Sequence, residues 1–173
     1  MRYYNKIKRG GLFIQTTFFQ LHRALAIRRK IGHKYRLALS LNTRGRIFTL
    51  QDQSSWGIKM SEEALEICKI LGAERGVGLA YNALGFSWRK KGNEWKLDVM
   101  TIEEAEDAFT RAEDYLLQAV DLFTHFSEPI RQWEANNELG SLYGDWAWLY
   151  HQKDKFDQAL RYYTDIYKPF CRL

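Results

Sequence analysis

The side chains that most often carry catalysis are few in this sequence and do not fall into a catalytic spacing. No GxSxG, HExxH or GxxxxGKS segment occurs, and Gly10-Gly11 lacks the spacing of a phosphate-binding loop. The four histidines are scattered along the chain, as His22, His33, His125 and His151. We therefore expect no catalytic residue and no enzymatic activity.

Acidic clusters can hold metal ions or act as paired carboxylates, and two candidates are Glu62 with Glu63, and Glu103, Glu104, Glu106 and Asp107. Adjacent helical residues point to different sides, and acids early in a helix complement its dipole. Both clusters are therefore interpreted as solvated helix faces. Cys68 and Cys171 are far apart and show no CxxC spacing, which indicates neither a disulfide framework nor a zinc site. The sequence predicts no metal and no cofactor.

Three asparagines recur at one position of an internal repeat, and each carboxamide offers both a hydrogen-bond donor and an acceptor. They are Asn42, Asn82 and Asn137. In each copy an alanine lies 18 residues before the asparagine, a glycine follows the asparagine after three residues, and an aromatic residue follows after three more. The recurring positions that we expect to be structural are Gly45, Phe48, Ala64, Gly85, Trp88, Ala119, Gly140 and Tyr143.

Apolar residues recur every three to four positions within each copy, which is typical of amphipathic helices. The 173 residues, 46% of them apolar, are enough for one compact domain or one short solenoid. We predict an all-α fold of about seven helices, at 12–31, 34–51, 56–71, 74–91, 101–126, 129–151 and 155–168.

Glycines and one serine mark the ends of these helices or their contacts. Gly32 and Gly72 fall at turns, and Ser127, as a helix N-cap, falls with Pro129 at a third turn. The repeated glycines after the three asparagines fall inside helices, where glycine costs about 1 kcal/mol relative to alanine. We expect a neighbouring helix to approach each of them too closely for a side chain.

The segment from Asn82 to Trp88 (NALGFSW) resembles the first helix of a tetratricopeptide repeat (TPR), and Glu63 to Ile67 (EALEI) with Leu71-Gly72 resembles the second. The period of about 40 residues is similar to that of kinesin-light-chain-like and bacterial signalling-protein TPR domains. The resemblance implies a right-handed antiparallel solenoid of helical hairpins, in a single domain over 1–173. It divides into a half repeat 12–32 and repeats 33–72, 73–127 and 128–168, with an insertion near 93–108.

This resemblance also implies a function, because the first helices of such repeats line a concave groove that holds an extended peptide. An asparagine there can satisfy one N–H and one C=O group of the peptide backbone. The matching positions are Asn42, Arg46, Asn82, Phe86, Arg89, Lys90, Asn137 and Ser141. The arginines and the lysine favour an acidic partner. A structural role for the asparagines, bonding a neighbouring helix, is the alternative.

The chain opens on the second helix of a repeat, so its first apolar face has no partner helix before it. That face is made by Leu12, Phe18, Phe19 and Leu21. A solenoid needs polar caps at its ends. Either the basic N-terminal residues cap it, or the chain belongs to a longer assembly, or this helix mediates a homodimer or end-on docking.

Charge is distributed unevenly along the chain. Residues 1–51 carry 12 lysines and arginines and no acid, whereas residues 52–173 have a net charge of −7. The basic third could bind phosphates, but no helix-turn-helix, zinc or RNA-recognition motif accompanies it, which argues against nucleic acid. No segment is apolar enough to span a bilayer. Because the two cysteines indicate no disulfide framework, we expect a cytoplasmic protein.

These patterns predict a non-catalytic interaction scaffold that binds a peptide or protein segment. Two alternatives stay open. The chain could be a sensor or regulatory TPR fragment of a signalling or defence system, or a nucleic-acid-binding adaptor acting through Arg28, Arg29 and their basic neighbours.

Overall fold

The computed structural model describes residue 20, residues 23–150, residue 157 and residues 160–162. Over these residues the chain contains helices and no strand, which confirms the all-α part of the predicted fold class. After a helical segment at 23–30, the elements are α1 (Lys34–Leu50), α2 (Ser54–Ile70), α3 (Glu74–Gly92), a 3₁₀ helix (Asn93–Leu97), α4 (Ile102–His125) and α5 (Pro129–Tyr150). The bounds predicted for α1 to α5 agree to within about two residues.

Two of the seven predicted helices, 12–31 and 155–168, fall only partly on the described residues. The apolar face expected to mediate dimerisation or end-on docking lies outside them, at Leu12, Phe18, Phe19 and Leu21. That expectation stays a prediction.

Three turns at equivalent repeat positions share one backbone conformation. Gly32, Gly72 and Ser127 have positive φ angles of 71°, 59° and 53°. After each of them, the next amide donates to the carbonyl five residues earlier, as Ala73 does to Cys68 at 2.9 Å and Glu128 to Phe123 at 2.8 Å. This pair of features is the Schellman motif, which satisfies the last carbonyls of a helix.

The expected role of Ser127 as a helix N-cap is therefore wrong, because the residue occupies the left-handed position that ends α4. A non-glycine residue pays about 1–2 kcal/mol for that conformation. Pro129 is the first residue of α5, as the sequence predicted.

The insertion after α3 forms the 3₁₀ helix and lengthens α4, which has 24 residues compared with 17 in α2. A capping box fixes the start of α4. The Glu104 amide donates to the Thr101 hydroxyl at 3.2 Å, and the Thr101 amide donates to the Glu104 carboxylate at 2.8 Å. An acid early in this helix was expected, but the 3₁₀ helix was not.

Each described helix packs against the next one in sequence, and α1 also contacts α3, as α3 contacts α5. The largest apolar cluster lies between α4 and α5 and includes Phe109, Leu116, Leu139 and Trp146. Ala64 and Ala119, at equivalent repeat positions, are both fully buried. Phe48 and Trp88 are half-buried, and Tyr143 is buried.

Two of the repeated glycines are sites of close helix approach, as predicted. A Cβ atom on Gly45 would lie 2.9 Å from the Gly57 carbonyl oxygen in α2. A Cβ atom on Gly85 would lie 2.4 Å from the Leu116 Cγ atom in α4. Gly140 is buried inside α5. The glycines thus bring α1 onto α2 and α3 onto α4.

Candidate functional site

A cavity of about 300 Å³ lies where α1, α3 and α5 come together, and it contains three of the residues that the repeats predicted. Asn42 and Arg46 enter it from α1, and Asn82 enters from the equivalent position of α3. This cavity, which we call the groove cavity, is completed by Leu39, Thr43, Leu79, Ala83, Arg131 and Glu134.

The two asparagines of the groove cavity are buried without hydrogen-bond partners. Asn42 is 7% exposed, and neither its Nδ2 nor its Oδ1 atom has a partner among the described residues. Asn82 is 4% exposed, and its Oδ1 atom is likewise unpartnered. Leaving a buried polar group unpaired costs about 1–3 kcal/mol. These carboxamides therefore keep hydrogen-bonding capacity that the fold does not use.

Arg46 supplies a positive charge beside the asparagines. Its guanidinium lies 4.8 Å from the centre of the Phe86 ring, a distance typical of a cation–π contact. No carboxylate of the described residues lies within ion-pair distance of it. Phe86, predicted as a groove residue, is buried and is not among the residues that line the groove cavity.

The opposite wall of the groove cavity comes from α5, through Arg131 and Glu134, which form an ion pair at 2.8 Å. Sequence reasoning missed both residues. A signal was present for Glu134, because it stands three residues before Asn137, just as Leu39 and Leu79 stand three residues before Asn42 and Asn82.

Asn137 itself is half-buried and does not line the groove cavity. The residues of α5 that line the cavity lie three and six positions before Asn137, so α5 meets the cavity on the N-terminal side of its asparagine only. Ser141, one turn further along α5, is also half-buried outside the cavity. The structure thus brings together two of the three repeated asparagines.

Arg89 does not supply a free positive charge to the groove, contrary to expectation. Its side chain is 12% exposed, and its guanidinium pairs with Asp145 at 2.8 Å and with Glu138 at 3.1 Å, both in α5. The physical reason is the contact between α3 and α5, which places two carboxylates opposite Arg89. Lys90, the next residue, lines a different cavity, beside the start of α2.

Two arginines of the basic N-terminal third bind other residues of the fold. Arg29 pairs with Glu63 of α2 at 3.0 Å, and the Arg28 guanidinium donates to the carbonyl of Arg36 at 3.3 Å. The acidic cluster of Glu62 and Glu63 therefore serves in part to neutralise a basic neighbour.

Two buried side chains have raised pKa values, and in both the first cause is burial within the fold. Burial, followed by the hydrogen bond that its hydroxyl donates to Glu113, strongly raises the pKa of Tyr143. Burial also raises the pKa of the Cys68 thiol, which keeps it protonated and weakly nucleophilic. Neither group lies in the groove cavity.

The part of the chain that the structure describes holds no group of three or more histidine, cysteine or acidic residues arranged to bind a metal ion. Among the described helices, none has the length and apolar content that a membrane span requires. Neither protein-family models nor curated proteins give a match to this chain.

Proposed function

We propose that this chain is a TPR-like helical solenoid that serves as an interaction scaffold and binds an extended peptide segment in the groove cavity. The observation that carries the proposal is the pair of buried, unpartnered carboxamides of Asn42 and Asn82. A fold gains nothing by burying such groups, whereas a peptide backbone offers the missing N–H and C=O partners.

The electrostatics of the groove cavity favour a partner segment with an acidic residue. Arg46 is held in place by Phe86 and has no carboxylate partner among the described residues. Arg131 and Glu134 on the opposite wall neutralise each other. The excess charge of the cavity is therefore positive, and it lies beside the two carboxamides.

Apolar side chains give the cavity a floor against which peptide side chains can pack. Leu39 and Leu79 occupy equivalent positions on α1 and α3 and both line it. On each of the two helices the leucine thus lies three residues before the asparagine. This pairing suits a ligand with polar backbone groups and apolar side chains.

The test is a selection from a display library of random 12-residue peptides, followed by affinity measurements on the enriched peptides. Because each lost hydrogen bond is worth about 1 kcal/mol, the Asn42→Ala/Asn82→Ala variant should bind roughly tenfold or more weakly than wild type. The matched control is Asn136→Ala, on α5 and outside the cavity, which should bind as wild type does. Equal affinities for wild type and the double variant would contradict the proposal.

A further inference from the structure

A second and larger cavity, of about 580 Å³, lies between the N-terminal end of α2 and the 3₁₀ helix. It is separate from the groove cavity and shares no residue with it. The residues that matter here are Ser54, Ser55 and Trp56 from α2, Lys90 from α3, and Leu97 from the 3₁₀ helix.

The first residues of α2 line this second cavity and carry hydrogen-bond donors that have no partner among the described residues. No described residue accepts a hydrogen bond from the amides of Ser54 and Ser55, the first two residues of α2, and Gln53 provides no side-chain cap. Ser54 lines the cavity and is only 3% exposed, yet its hydroxyl has no hydrogen-bond partner among the described residues. Free amides and the positive end of the helix dipole attract anions.

A cationic side chain lines the same cavity as these donors. Lys90 is half-buried, lines the cavity, and has no carboxylate of the described residues within ion-pair distance. Glu94 also lines the cavity, but its carboxylate is paired with Lys91 at 2.5 Å. Asp52 opposes an anion, but it is exposed, and water screens its charge. The donors and Lys90 together suit an oxyanion such as phosphate.

The lining of the cavity also includes apolar side chains that are exposed. The Trp56 indole is 53% exposed, and Leu97 and Val99 are more exposed still. We propose that the cavity binds a small phosphate ester, with its phosphate at the start of α2 beside Lys90 and its organic part against Trp56 and Leu97.

The test is isothermal titration calorimetry with adenosine monophosphate as the probe, and with inorganic phosphate and adenosine in separate arms. Wild type should bind the monophosphate, with adenosine much weaker. Lys90→Gln should weaken binding roughly fivefold, and Asp52→Asn should tighten it, because the two charges act on the anion with opposite sign. Lys69→Gln, on α2 but at its other end, is the matched control and should bind as wild type does.

Ser54→Ala adds a second variant at the helix terminus and should also weaken binding, with the fold checked by circular dichroism. Three results would each overturn the proposal: no heat from the monophosphate or phosphate at millimolar concentrations, equal affinity for adenosine and its monophosphate, or no change in Lys90→Gln and Asp52→Asn.

Discussion

The guanidinium of Arg89 in α3 and the carboxylate of Asp145 in α5 lie 2.8 Å apart, although 56 residues separate them in sequence. The same carboxylate accepts a hydrogen bond from Asn93 at 2.6 Å and lies 3.4 Å from Lys96. Asp145 therefore ties α3, the 3₁₀ helix and α5 together at the point where the insertion leaves the regular repeat.

Removing Asp145 should destabilise the fold, because it leaves Arg89, a mostly buried cation, with Glu138 alone. We expect Asp145→Ala to lower the free energy of unfolding by about 2–3 kcal/mol in urea denaturation followed by circular dichroism. The control is Asp107→Ala, which breaks an exposed pair with Arg111 and should cost about 0.5 kcal/mol or less. Equal effects of the two substitutions would show that the buried network does not stabilise the fold.

Unlike the Asp145 substitution, removal of the groove asparagines should not lower the free energy of unfolding, because their buried carboxamide atoms have no partners among the described residues. Asn42→Ala and Asn82→Ala remove buried polar groups and introduce a better helix former, so each should leave the free energy of unfolding unchanged or raise it by about 1 kcal/mol. Asn93→Ala is the matched control, since its amide donates to Asp145, and it should lower that free energy by about 1–2 kcal/mol. A loss above 1 kcal/mol in either groove variant would indicate a structural asparagine.

The features that the sequence predicted correctly depend on local patterns. The helices follow from apolar periodicity, and the turns at Gly32 and Gly72 follow from residues that tolerate a positive φ angle. Gly45 and Gly85 could be assigned to close helix contacts, because a repeated glycine inside a helix has a packing reason.

The features that the sequence missed depend on how distant helices meet. The pairing of Arg89 with Asp145 follows from the contact between α3 and α5, and no local pattern encodes it. On α5 the groove cavity is lined by Arg131 and Glu134 and not by Asn137, and a repeat alignment alone does not say where α5 meets the cavity. The repeats thus predicted residues of the site on α1 and α3, but none of those on α5.

Glycines inside helices provide a comparison between crowded and open positions. In Gly85→Ala the new methyl group would meet Leu116 and lie 3.1 Å from the Ala112 carbonyl oxygen, so we expect a loss of about 1–3 kcal/mol. At Gly144 in α5 no atom of the described residues lies within 4 Å of an added Cβ atom, and Gly144→Ala should gain about 0.5–1 kcal/mol from helix propensity. Thermal unfolding should therefore shift in opposite directions for the two variants. Shifts of the same sign would contradict this account of Gly85.

Stability should fall at high pH because of Tyr143. Burial and the hydrogen bond to Glu113 raise its pKa in the folded protein, whereas an unfolded tyrosine ionises near pH 10. Above about pH 10 the unfolded state loses a proton that the folded state keeps, so the unfolded state is favoured as the pH rises. Each such group lowers the free energy of unfolding by up to about 1.4 kcal/mol per pH unit.

Tyr143→Phe separates this effect from the titration of other groups. The variant should be about 1–2 kcal/mol less stable than wild type at pH 8, because it loses the hydrogen bond to Glu113. Its stability should fall less steeply above pH 10, so the difference between the two proteins should shrink by pH 11 in urea denaturation series. Parallel pH profiles for wild type and variant would show that Tyr143 ionises alike in the folded and unfolded states, against the burial and bonding that the structure gives it.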